Sequence, residues 1–250
     1  PNTYTLTKCL SEHLLARRRG DLPLAIVRPS IISASWQFPK PGWIDSYAAF
    51  AGFVSLIGMG LLRSVAANET TILDVVPCDE VANSIVRTAF WQESRPRPLV
   101  QHIVSGIDQG AQIGACIAGI ERFFQHNPIH RWAKIRRLGN GRSIRLQHLR
   151  DHAFPTYLAS AICAVSGKSK QRAQLKKMLN RIEYLNAAFP YFTHNSFRFE
   201  SAIPFAPPGF SPEKYVDLIC EGVYHNMMRK DTSQSALGGS QHRHPKRDLR

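Results

Sequence analysis

Apolar residues recur at helical spacing near the start of the chain, where Leu6, Leu10, Leu14 and Leu15 share one stripe. The pattern predicts a helix over residues 3–19 with that stripe, and Cys9 beside it, turned to the core. Asn2 or Thr3 can cap its start, and Arg17, Arg18 and Arg19 suit the negative end of its dipole. Gly20 and Pro23 end it. Residues 24–32, Leu-Ala-Ile-Val-Arg-Pro-Ser-Ile-Ile, predict a buried parallel strand running into a loop. Helix then buried strand is the repeating unit of a doubly wound α/β sheet. Ligands of such sheets bind outside the strand carboxyl ends, and the Arg28–Ile32 turn is one.

Further along, an apolar, Gly-rich segment spans 48–62 and ends at Arg63. Pockets favour apolar linings, so this segment is expected to wall a substrate tunnel rather than fill ordinary core. Strands are predicted at 72–77 and 99–105, and helices at 79–92 and 111–125. Asp79 is a good N-cap for the first of these helices, and Ser94-Arg95-Pro96-Arg97-Pro98 breaks the chain before the second strand. Residues 153–165 are apolar but shorter than the ~20 residues that span a bilayer. The last twenty residues, 231–250, have almost no apolar side chains and are expected to be disordered.

The candidate chemistry sits on the first helix. Tyr4 and Lys8 are four residues apart, which puts phenol and ammonium on one face. A phenol is a poor acid at neutral pH, with a reference pKa of about 10. A neighbouring cation favours the phenolate and fits the phenol for proton transfer. A Y-x-x-x-K pair alone is common. Here it is followed by a helix end, an apolar strand and Arg28-Pro29-Ser30.

Tyr4/Lys8 with Ile26-Val27-Arg28-Pro29-Ser30-Ile31-Ile32 resembles the catalytic helix and next strand of extended short-chain dehydrogenases. Pro41-Gly42-Trp43-Ile44-Asp45, Gly58-Met59-Gly60-Leu61-Leu62-Arg63 and Asp74-Val75-Val76-Pro77-Cys78-Asp79-Glu80-Val81-Ala82-Asn83 are similar, in order and spacing, to the fatty acyl-CoA reductases. These are the alcohol-forming "male sterility" family. Tyr191-Phe192-Thr193-His194-Asn195-Ser196-Phe197-Arg198-Phe199 resembles that family's C-terminal aromatic–Arg-Phe signature. The resemblance implies NADPH-dependent reduction of a long-chain fatty acyl-CoA to the alcohol. It implies Tyr4 as proton donor, Lys8 on the nicotinamide ribose, and Pro29, Ser30, Ile31 and Ile32 flanking the nicotinamide. Trp43 and Arg63 are candidates for substrate contact, Arg63 toward a CoA phosphate.

The resemblance also implies a fold: a truncated Rossmann-like sheet over 1–110, a connection over 111–144, a mainly helical domain over 145–230, and the tail. The sequence departs from the family in lacking a Gly-rich G-x-G-x-x-G or G-x-x-G-x-x-G turn after a strand. Gly106, Gly110 and Gly114 are spaced by four and fit neither pattern, and the upstream catalytic Ser/Thr has no counterpart. The chain therefore reads as the C-terminal part of a reductase, inactive and without NADPH affinity by itself. Alternatives are another extended dehydrogenase acting on a different carbonyl, or an inactive remnant with a basic membrane-docking surface.

Five scattered cysteines with no C-x-x-C exclude a disulfide framework or a zinc ribbon and suit a reduced cytoplasm. The net charge of +14 is concentrated: residues 131–181 hold 13 Lys/Arg against the single acid Asp151. That suits an anionic partner: CoA phosphates, an acidic carrier, or a membrane surface touched peripherally. No nucleic-acid motif accompanies the charge, so nucleic acid is not expected. The pairs His126/His130 and His148/His152 lack a third ligand, so no metal site is expected.

Overall fold

The computed structural model describes residues 3–90, 98–106, 108–129, 137–139, 150, 154–166, 193–197, 199–201 and 207–228, with single positions between 169 and 180. The break at Ser94–Arg97, His130, His148, His152, Arg198 and the 231–250 tail lie outside the described residues, as does most of the basic stretch.

The first helix, α1 (Thr3–Arg18), forms as its periodicity predicts. Its leucine stripe is not buried: Leu6, Leu10, Leu14 and Leu15 are all more than half exposed, and Cys9 is exposed too. Periodicity marks an apolar face but does not supply the surface that covers it. What ties α1 to the next strand is polar: Arg28 Nε donates to Glu12 Oε1 at 3.0 Å, and Arg28 Nη2 bonds Glu12 Oε2.

The predicted strand at 24–32 is half-buried and divides at Ser30. Its first part, β1 (Ala25–Pro29), pairs in parallel with β6 (Leu99–Ile103), in register Ala25 to Leu99 through Pro29 to Ile103. Its second part, β2 (Ile31–Ser33), pairs in parallel with β5 (Val75–Pro77). Ser30 hands over from one ladder to the other: its N–H donates to Ile103 O at 3.0 Å, and the next N–H, of Ile31, to Asp74 O at 3.2 Å. The predicted strand at 72–77 divides in the same way at Asp74. Its first two residues, β4 (Ile72–Leu73), pair antiparallel with β7 (Ala111–Gln112) instead. A further short pair joins β3 (Ser64–Ala66) to β8 (Arg137–Gly139) in parallel.

Three helices enclose the main core. The segment expected to line a tunnel is α2 (Ala49–Gly58), with Phe50, Ala51, Val54, Leu56 and Ile57 all buried. An apolar helix buried on nearly every side is core. It meets α4 (Ile113–His126) and α6 (Pro212–Val223), and Ile120, Phe124, Ile219 and Val223 are fully enclosed between them. Ser211 caps α6 by accepting the Lys214 N–H at 3.2 Å, with Pro212 at the first helical position. A π-helical turn, Tyr224–Met228, continues α6. On the other side, α3 (Cys78–Phe90) covers β1, β2 and β5, and Val76, Val81 and Ile103 form a smaller core there. The apolar helix α5 (Phe154–Val165) leaves Tyr157 and Leu158 exposed.

Candidate active site at the strand carboxyl ends

Tyr4 and Lys8 lie on one face of α1, with the Lys8 ammonium 5.6 Å from the centre of the Tyr4 ring. Both side chains are open to solvent. Residues 19–24 join the helix to β1. Glu12, held by Arg28, is about two helical turns further along from Tyr4. The Arg28 hydrogen bond holds the Glu12 carboxyl below the usual carboxylate range, and the same bond raises Arg28.

The strand ends are gathered by Asp74. Its carboxylate is 9% exposed and accepts Ser30 Oγ–H at 2.5 Å, Ser105 N–H at 2.9 Å and Gly106 N–H at 2.9 Å. Such a buried carboxylate is tolerable because its oxygens are met by donors. Gly106 has φ +79°, a conformation that favours glycine. Its amide is already given to Asp74, and a pyrophosphate needs free backbone amides, so this turn does not fit one. Gly110 and Gly114 pack against Ile72 and Glu69 and form no cradle either.

A second carboxylate holds the loop after β2. Asp79 does not simply cap α3. Its Oδ1 accepts Trp36 N–H at 2.8 Å, and its Oδ2 accepts Gln37 N–H at 2.8 Å and Phe38 N–H at 3.0 Å. The same loop is closed at its base, where Ser35 N–H donates to Trp43 O and Gly42 N–H to Ser35 O, both at 3.0 Å. Trp43 is thereby fixed at the loop's end and stays 37% exposed. Trp36 packs edge-on against Phe210 and Tyr215, and the Tyr215 hydroxyl donates to Ala34 O at 2.7 Å. Burial raises the Tyr215 phenol well above its usual value, so it is structural and does not titrate near neutrality.

Arg63 sits just beyond α2, half-buried, and its Nε donates to Gly60 O at 3.2 Å. Residues 193–197 of the aromatic signature run beside β3 and β4, Tyr191 and Phe192 lying outside the described residues: Thr193 Oγ donates to Ala66 O at 2.6 Å, and Ile72 N–H donates to Ser196 Oγ at 3.0 Å. His126 bonds its own helix, with Nδ1 2.8 Å from Arg122 O. Sequence reasoning missed the roles of Asp74 and Asp79. Both stand inside a quoted motif, but nothing in that motif tells that their partners lie more than thirty residues away.

Three short parallel strand pairs and one antiparallel pair, packed with helices, define a mixed α/β protein. Residues 1–85 match the model of the male sterility protein family. The chain is similar to fatty acyl-CoA reductase 1 of Xenopus laevis and of Homo sapiens, each 30% identical over 201 residues, covering 78% of this chain and 38% of the relative. It is 42% identical over 109 residues to fatty acyl-CoA reductase 2 of Mus musculus, covering 42% of this chain and 21% of that one. The chain thus spans about two fifths of the length of the first two relatives. Among solved structures, RMD from Pseudomonas aeruginosa complexed with NADPH is similar at 18% identity with a TM-score of 0.36, covering 59% of this chain and 48% of that one.

Proposed function

We propose that this chain works as the C-terminal part of an NADPH-dependent reductase that converts long-chain fatty acyl-CoA to fatty alcohol. The observation that carries the reading is the Tyr4–Lys8 pair on the open face of α1, within the segment that matches the male sterility family. Bound NADPH would supply the hydride. Tyr4 would give its phenolic proton to the carbonyl oxygen as negative charge develops there. Lys8 would hold the ribose hydroxyls. Pro29, Ser30, Ile31 and Ile32 would line the nicotinamide side, with Trp43 and Arg63 toward the acyl-CoA. The pyrophosphate would be cradled by residues outside these 250, since the glycines after β6 do not fit it. Without that cradle, residues 1–250 alone should have no reductase activity and no measurable NADPH affinity.

The test is Tyr4→Phe in a polypeptide where this chain follows a Gly-rich dinucleotide-binding half. Acyl-CoA reduction should be abolished while NADPH still binds, and Lys8→Ala should weaken both. Activity of Tyr4→Phe within about tenfold of the parent, roughly 1.4 kcal/mol in barrier, would remove Tyr4 as the proton donor.

The same reading places the enzyme in the cytoplasm, touching an anionic bilayer through residues 131–181. The 13 cations against one acid and the exposed Tyr157 and Leu158 of α5 support it. No helix among the described residues is long and apolar enough to cross a membrane. Vesicle co-sedimentation should rise with anionic lipid and fall with salt. Equal binding to neutral vesicles would exclude the contact.

A further inference from the structure

Asp74 lies between β4 and β5, yet its side chain is committed to two other strand ends. Oδ1 takes the Ser30 hydroxyl proton and the Ser105 N–H, and Oδ2 takes the Gly106 N–H. Its main-chain carbonyl takes the Ile31 N–H. One residue therefore fixes both the β1–β2 junction and the turn after β6. Hydrogen bonds to a carboxylate are the strong class; here the Ser105 bond is buried and the other two are partly buried.

We infer that Asp74 is the positioning residue of the Pro29–Ile32 edge, acting through Ser30 without touching cofactor or substrate. The inference rests on the reductase reading for what occupies that edge; the clamp itself does not depend on it. Ser30 is the point where the chain leaves the β6 ladder for the β5 ladder, so the path of the next two residues is decided there. Donating its proton to Asp74 fixes the hydroxyl rotor and leaves the oxygen toward any ligand as an acceptor only. If Asp74 served stability alone, an apolar side chain would fill the space with no charge to desolvate. Such a side chain would not hold the three donors in register.

Two variants separate these roles. In Asp74→Asn one oxygen becomes an NH2 group, which cannot accept, so the Ser105 or the Gly106 N–H loses its acceptor and the clamp loosens at both. Ser30→Ala removes only the hydroxyl. In residues 1–250, amide exchange at Ser105 and Gly106 should speed up by about tenfold or more in Asp74→Asn, with α4 unchanged, as for a local opening. In the polypeptide with the dinucleotide-binding half, NADPH affinity by fluorescence titration should fall about five- to tenfold in both variants. In Asp74→Asn, KM for NADPH should rise with kcat held within about twofold, the pattern of lost uniform binding. Unchanged exchange at both Ser105 and Gly106 in Asp74→Asn would overturn the clamp. NADPH affinity within about twofold of the parent in both variants would overturn the positioning role. If Asp74→Asn does not fold, Asp74→Glu, which keeps two acceptor oxygens on a longer stem, takes its place in both measurements. A parent that binds no NADPH would sink the reductase reading instead, and the exchange data would then decide whether Asp74 holds the edge.

Discussion

The backbone of Gly222, in α6, lies directly on the carbonyl of Gly42: a Cβ at Gly222 would stand 2.0 Å from the Gly42 oxygen. The contact is reciprocal, since a Cβ at Gly42 would meet the Leu218 carbonyl at 3.0 Å, and Gly42 has φ +72°. Asn226 Nδ2 adds a hydrogen bond to the same Gly42 oxygen at 3.3 Å. Helix and loop therefore touch backbone to backbone, and α6 reaches the wall that follows β2.

Gly222→Ala should cost about 3 kcal/mol, the upper part of the range for overpacking, because rigid backbone is the obstacle. Urea unfolding measures it. A loss below about 1 kcal/mol would mean that α6 stands off from the loop.

Asp79→Ala should strip the acceptor from three consecutive amides, Trp36, Gln37 and Phe38. The expected loss is about 2 kcal/mol, near the cost of leaving buried donors unmet, eased by water reaching the exposed part of the loop. Amide exchange at 36–38 should become fast while β6 stays protected. Asp79→Asn, with one acceptor left, should fall between. Slow exchange in Asp79→Ala would show that the loop is held by other means.

The Glu12–Arg28 bond makes the seating of α1 depend on pH. Glu12 is lowered by its hydrogen bond to Arg28, so its contribution is present above the unfolded value of about 4.3 and fades as pH falls through the lower folded value. Between pH 5 and 8 the seating should not change. Below about pH 4 α1 should loosen, and Glu12→Gln should remove that step. A chemical-shift titration of α1 amides that shows no acid step would count against the bond.

Thiol labelling should divide the cysteines. Burial pushes the Cys116 thiol up to about 12, and raises Cys220 well above its usual value. At pH 8 the thiolate fraction of Cys116 is then on the order of one in ten thousand. Cys9 is exposed and should react first. Labelling of Cys116 as fast as Cys9 would show that the α2–α4–α6 core opens readily.

Local sequence determined a good deal. The 3.6-residue spacing of leucines and the capping and ending residues gave α1 nearly to its ends. The same reading put helices at 79–92 and 111–125, close to α3 and α4, and strands where β1, β5 and β6 lie. Tyr4 and Lys8 were legible because an i, i+4 pair on a helix needs no other part of the chain to meet. Tertiary structure decided whatever needed a distant partner. It left the leucines of α1 open, made 48–62 core instead of tunnel, and split two predicted strands at Ser30 and Asp74. It also turned Asp79 from a helix cap into the anchor of a loop. The physical reason is common to all four: a side chain's pattern says what it can bury or bond, and only the fold brings up the surface or donor that takes it.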